Sequence, residues 1–171
     1  ESPVWTGLLA NYMLTKGYAV HIIDANADKL TPAKVAQEVI EINPTLTAVV
    51  VYGHNPSAST QIMPSAGQVC KAIKDLAPDK KVLMLGGHVS ALPGRTLREE
   101  SVDFVCTGEG PITLSDLVTC LRASGPTELS KVRGLMYKEN NEIVATPHAP
   151  NIVNLDQEMP GMPWHLLPMN K

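Results

Sequence analysis

The sequence has no excess of positive charge, no long hydrophobic run and few cysteines, and each deficit closes off a class of function. Fourteen Lys and Arg against seventeen Asp and Glu leave a net charge of -3 over 171 residues. No basic cluster marks a surface that could track phosphates, so nucleic acid is not an expected partner. The longest apolar runs, Thr47–Tyr52 and Val82–Leu85, are strand-sized, whereas a membrane-spanning helix needs about 20 apolar residues. No charged segment leads into an apolar signal-peptide core. Cys70, Cys106 and Cys120 are three in number and widely spaced. That is neither a disulfide framework nor the clustered thiolates of a zinc or iron–sulfur site. Buried or incidental thiols in a reducing compartment are expected, and with them a cytoplasmic location.

What is present describes an ordinary globular domain, with 44% hydrophobic and 18% charged residues. Trp5, Leu8, Leu9, Tyr12 and Met13 fall on one face of a helix that Gly17 ends. Tyr18–Asp24 reads as a strand. Thr31-Pro32 opens a second helix, with Thr as cap and Pro in the first turn, and Asn43-Pro44 closes it. Thr47–Gly53 and Lys81–Leu85 are continuously apolar, as strands buried on both faces are. A polar stretch, His54–Thr60, precedes a long helix over Gln61–Leu76. A short helix over Arg95–Glu100, a strand over Asp103–Cys106 and a helix over Ile112–Leu121 follow. Gly134–Lys138 and Glu142–Thr146 flank a polar turn and predict a β-hairpin. After Pro147 the chain is proline-rich and reads as a linker or an arm draped over a neighbour.

Alternating strands and helices imply a Rossmann-like (flavodoxin-like) α/β fold, a parallel sheet with helices on both faces, plus the C-terminal β-hairpin. Such folds normally begin with a strand, so a first strand is expected ahead of Glu1; the alternative is that the four strands form a complete sheet. The expected organisation is a Rossmann-like domain over 1–130, a hairpin extension over 131–150 and a linker over 151–171.

Open parallel sheets bind ligands beyond the carboxyl ends of their strands. Three turns there have unusual composition: Tyr52-Gly53-His54-Asn55-Pro56-Ser57, Gly86-Gly87-His88 and Thr107-Gly108-Glu109-Gly110. Glycine permits close backbone approach, and freed N–H groups near helix starts can hold a phosphate; glycine also simply makes strand-to-helix turns. His54 and His88 lie just past strand ends, His21 inside a strand, and His148 and His165 in the tail. None is paired at helical metal-site spacing, so no metal site of protein ligands alone is expected. Glu109 is a candidate acid or base, and equally a carboxylate favoured at a helix start. There is no nucleophile elbow and no phosphate-binding P-loop.

In order, these segments resemble the N-terminal cobalamin-binding domain of B12-dependent radical S-adenosylmethionine enzymes. The resemblance rests on residues 17–26, 49–97, 102–110, 134–147 and 154–168, above all GGHVSALP after one strand and DFVCTGEG at another. It implies cobalamin as cofactor, held by Tyr52, Gly53, His54, Asn55 and Ser57 on one wall. Gly86 and Gly87 would let the nucleotide tail pass close to the backbone, with His88 beside them in the site, and Thr107, Gly108 and Glu109 would form the other wall. The C-terminal segment resembles the linker into a radical barrel of the same polypeptide. S-adenosylmethionine and a [4Fe-4S] cluster would bind in that barrel, because CxxxCxxC is absent from these residues. The domain alone would not be catalytic; the parent would be an oxidoreductase or methyltransferase. DxHxxG is also absent, so base-off cobalamin without a protein histidine on cobalt is expected, with His54 the residue best placed to contradict this. Three rivals remain at this point: a non-catalytic corrinoid carrier; a flavodoxin- or receiver-like module without cobalamin, for which Asp24 is the sole candidate phosphoacceptor among the strand ends; and a degenerate domain that keeps the fold for interaction only.

Overall fold

A computed structural model describes residues 3–53 and 55–167. Its elements run α1 (Val4–Thr15), α2 (Pro32–Ile42), β1 (Thr47–Val51), α3 (Pro56–Leu76), β2 (Val82–Gly86), α4 (Gly87–Ala91), α5 (Pro93–Glu99), β3 (Phe104–Cys106), α6 (Gly110–Arg122), β4 (Leu135–Glu139), β5 (Glu142–Ala145) and α7 (Leu155–Glu158). The strands form one sheet in the order β1-β2-β3-β4-β5. The first three are parallel, in a register that sets Val51 opposite Gly86 and Met84 opposite Val105. The hairpin β4–β5 does not stand apart. β4 joins the sheet antiparallel to β3, with Cys106 opposite Leu135.

Side-chain alternation along the strands divides the core in two. Val82 and Met84 of β2 face α2 and α3 in a cluster with Val35, Val39, Cys70 and Ile73. Leu83 and Leu85 face α1 and α6, with Leu9, Met13, Leu114 and Leu117. Every residue of β2 is buried, as the central strand of a doubly covered sheet must be. Rossmann-like architecture therefore stands, as a mixed sheet.

The expected strand over Tyr18–Asp24 is not a strand. The segment is extended, and its side chains still alternate: Tyr18 and Val20 pack on the α1–α6 side, Ile23 and Ala25 on the α2–α3 side. A strand also needs a ladder, and among the described residues β1 pairs with β2 alone. Helix boundaries also differ from expectation: α3, α5 and α6 begin earlier than Gln61, Arg95 and Ile112, and α4 is an additional helix. The turn expected over His54–Thr60 is largely the first turn of α3, which begins at Pro56 with the Asn55 side chain accepting the Ala58 N–H at 2.8 Å. The Gly87–Ala91 turn is itself helical, α4. The tail is an arm laid back on the domain: Met162 and Pro163 lie against Gly7 of α1, and Ala149 and Leu167 are buried. No helix of the described residues is long and apolar enough to cross a membrane.

Candidate cofactor site

Because β1, β2 and β3 are parallel, their carboxyl ends share one edge of the sheet, and the three glycine-bearing turns leave from it. Their convergence is visible in contacts. Gly86 lies so close to β1 that a Cβ there would overlap the Val51 carbonyl. Ser59, buried in the first turn of α3, donates to that same carbonyl at 2.6 Å and accepts from the His88 N–H at 3.0 Å. One hydroxyl thus ties the turn after β1 to the turn after β2. Thr60 Oγ1 and His88 Nδ1, 3.0 Å apart, add a second tie. On the third side, burial pushes the Tyr52 phenol above its ordinary pKa, and the nearby Cys106 and Glu109 push it further the same way.

The third turn is pinned from outside. Thr107 N–H donates to Gly134 O at 2.8 Å and Gly134 N–H donates to Pro147 O at 2.7 Å, so hairpin and tail brace it. The buried Thr113 hydroxyl donates to Glu109 O at 3.1 Å. Glu109 precedes α6 without making a capping hydrogen bond from its side chain. Its carboxylate is half-buried at the rim.

Each expected site residue has a place. Tyr52 is half-buried and stacks on Trp5, ring centroids 5.0 Å apart at 27°. Asn55 is the cap of α3, and Ser57 is exposed in its first turn. His54 lies outside the described residues. Gly53 and Gly86 are required by the fold: a Cβ at Gly53 would overlap Ala58, and Gly86 has φ +154°, which L side chains rarely adopt. Gly87 and Gly108 differ. A Cβ at Gly87 would meet nothing closer than Ser59 Oγ at 3.7 Å, and one at Gly108 only His148 Nδ1 at 3.8 Å. Neither has a positive φ, so no packing within the protein demands glycine at these two rim positions. That is the pattern expected where a bulky ligand must approach the backbone.

Four rim residues escaped the sequence reading. Ser59 and Thr60 were submerged in a polar stretch that reads as loop. Trp5 reads as a core residue of α1, yet it is 48% exposed, because the first turn of α1 reaches past the strand ends to Tyr52. His148 stands beside Gly108, a contact between residues forty apart in sequence that only the fold reveals. His21 and His165 are exposed on other parts of the chain. Among the described residues no group of three His, Cys, Asp or Glu could hold a metal ion. Two surface cavities lie away from the rim. One of about 380 Å³ lies beside α6 at Asp116, Cys120 and Arg133, and one of about 270 Å³ lies at the amino ends of β2 and β3.

The comparisons with known proteins agree with this geometry. A family model described as the B12 binding domain matches residues 1–118. A protein of Pyrococcus horikoshii named as an uncharacterized methyltransferase is 35% identical over 99% of this chain and 35% of its own length. The anaerobic magnesium-protoporphyrin IX monomethyl ester cyclase of Cereibacter sphaeroides is 29% identical over 96% of this chain and 26% of its own. The chain thus spans about a third or less of these curated relatives. Among solved structures, the radical S-adenosylmethionine methyltransferase TsrM of Kitasatospora setae superposes with a TM-score of 0.72 at 18% identity, covering 86% of this chain and 27% of that one. The cobalamin-dependent radical enzyme OxsB gives 0.69 at 21%, covering 91% and 21%. These two likenesses concern the fold. Together with a rim whose glycines leave room for a large ligand, the family match decides the assignment: this chain belongs to the B12-binding domain family.

Proposed function

We propose that the rim formed by Tyr52, Gly53, His54, Asn55, Ser57, Gly86, Gly87, His88, Thr107, Gly108 and Glu109 seats cobalamin, and that the domain serves a radical S-adenosylmethionine enzyme. The observation that carries the reading is the pair Gly87 and Gly108, glycines that the protein's own packing does not require. When bound, cobalamin supplies an organometallic cobalt centre, and a protein around such a cofactor sets position and access. Here the Ser59 bridge holds two of the turns at fixed spacing, and the hairpin braces the third. The seat is thereby organised before any ligand arrives, which lowers the ordering cost of binding. We take the cofactor to be base-off without a histidine of this chain on cobalt, since the DxHxxG motif is absent from these residues. The organisation that goes with this reading is 1–130 as the cofactor domain, 131–150 as its bracing hairpin and 151–171 leading towards a barrel that holds S-adenosylmethionine and a [4Fe-4S] cluster. Oxidoreductase or methyltransferase activity belongs to that whole enzyme. Three free cysteines accord with a cytoplasmic setting.

The test is direct. The purified protein is mixed with hydroxocobalamin, desalted and read in the visible. A retained corrin band in the wild type that is lost in Gly87→Ala supports the reading. Equal retention by both would remove the rim from the site.

A further inference from the structure

The rim carries an aromatic group that the assigned walls do not include. Trp5 stacks on Tyr52 at 5.0 Å and 27°, yet 48% of it remains exposed. Large aromatics are costly to leave in water, because burying one removes about 150–250 Å² from solvent. Tyr52 is the anchor of the pair. It directly follows Val51, the last residue of β1, so the stack joins α1 to the carboxyl end of that strand.

We propose that Trp5 is a cofactor-positioning residue whose free face packs against the flat of the corrin ring. The inference rests on the rim reading above and adds a residue to it. The ring is favoured over the aromatic base of the nucleotide tail by what lies deeper. One turn along α1 from Trp5, Leu9 closes against the start of α6: a Cβ on Gly110 would lie 3.4 Å from Leu9 and 3.1 Å from Leu85. Helix α1, helix α6 and strand β2 already touch there, and no planar base fits between them. The part of Trp5 that Tyr52 leaves uncovered, with 48% of the residue exposed, is available to a broad flat ligand lying across the strand ends. Stacking on a large ring needs a plane more than a particular polar group, so an aromatic replacement preserves the contact.

The experiment compares hydroxocobalamin with dicyanocobinamide, which keeps the corrin and lacks the nucleotide tail. Affinities of both are measured by equilibrium dialysis for the wild type, Trp5→Ala, Trp5→Phe and Gly87→Ala, with visible circular dichroism of the bound corrin. Trp5→Ala is expected to weaken both ligands by the same factor, roughly three- to ten-fold, the size of one lost aromatic contact, and to alter the dichroism. Trp5→Phe is expected to recover most of the affinity. The half-exposed position leaves the melting temperature of Trp5→Phe close to wild type. If Trp5→Ala binds both ligands as the wild type does while Gly87→Ala does not, the Trp5 assignment is wrong and the rim reading stands. Weakened cobalamin with unchanged cobinamide would also overturn it, by placing the stack on the nucleotide base. A wild type that binds neither ligand defeats the rim reading, and this inference with it.

Discussion

The two ends of the central strands solve opposite problems. At the amino ends of β2 and β3, Asp103 accepts from Lys74 Nζ at 3.0 Å and from the Val82 N–H at 2.9 Å, and Lys81 lies 3.7 Å away. Asp103, Lys74 and the Val82 N–H there are accounted for by partners within the protein. At the carboxyl ends the fold accounts for Gly53, Gly86, Ser59 and Asn55, and then stops. Gly87 and Gly108 have space around them, Glu109 caps nothing, and a half-exposed tryptophan sits on a tyrosine. Both ends are polar and both border a turn, so polarity does not separate them. Residues whose identity the fold leaves unexplained do.

The sharpest way to break this comparison is to alter neighbouring glycines. Gly86→Ala drives a methyl group into the Val51 carbonyl, backbone that cannot yield. We expect a loss of about 3 kcal/mol in denaturant unfolding, the upper part of the overpacking range. Ser59→Ala comes next. It removes the donor to Val51 O and the acceptor for His88 N–H inside a buried site, at a cost of about 2 kcal/mol and with weaker cobalamin binding as the two turns separate. Asp103→Ala, at the other end, is expected to cost about 1–2 kcal/mol by stranding the Val82 N–H and Lys74. Its cobalamin affinity should match wild type in the same dialysis. Smallest in stability is Gly87→Ala, within about 0.5 kcal/mol of wild type, because the new methyl only touches Ser59 and Ala suits the first turn of a helix. Its cobalamin affinity should nonetheless fall by about ten-fold, equivalent to ~1.4 kcal/mol. A Gly87→Ala protein that unfolds, or an Asp103→Ala protein that loses cobalamin, would erase the distinction between the two ends.

The sheet was legible from β1, β2 and β3 because their apolar runs are short, continuous and bounded by glycine or proline. The Thr31-Pro32 start of α2 was equally plain. The same rule, a cap followed by proline, also operates at Asn55-Pro56, yet the run of small polar residues after it disguised the first turn of α3 as loop. Tyr18–Asp24 shows the converse. Its composition and alternation are those of a strand, and alternation is what packing on two faces requires, but a ladder depends on a neighbour that composition cannot supply. The glycines of the rim were visible as a group. Sequence could not divide them into those required by the fold and those that are not, because that division depends on where Val51, Ala58 and Ser59 lie in space. Trp5 was misread for a related reason. Its spacing fits the buried face of α1, but it stacks on Tyr52 just past β1 and stays 48% exposed.

Amide hydrogen exchange of the protein with and without hydroxocobalamin tests the central claim most directly. The account predicts that added protection concentrates in the turns following β1, β2 and β3 and in the first turn of α1, while the segment around Lys81 and Asp103 exchanges as before. Protection centred on the amino ends of the strands, or on the cavity beside α6, would contradict it.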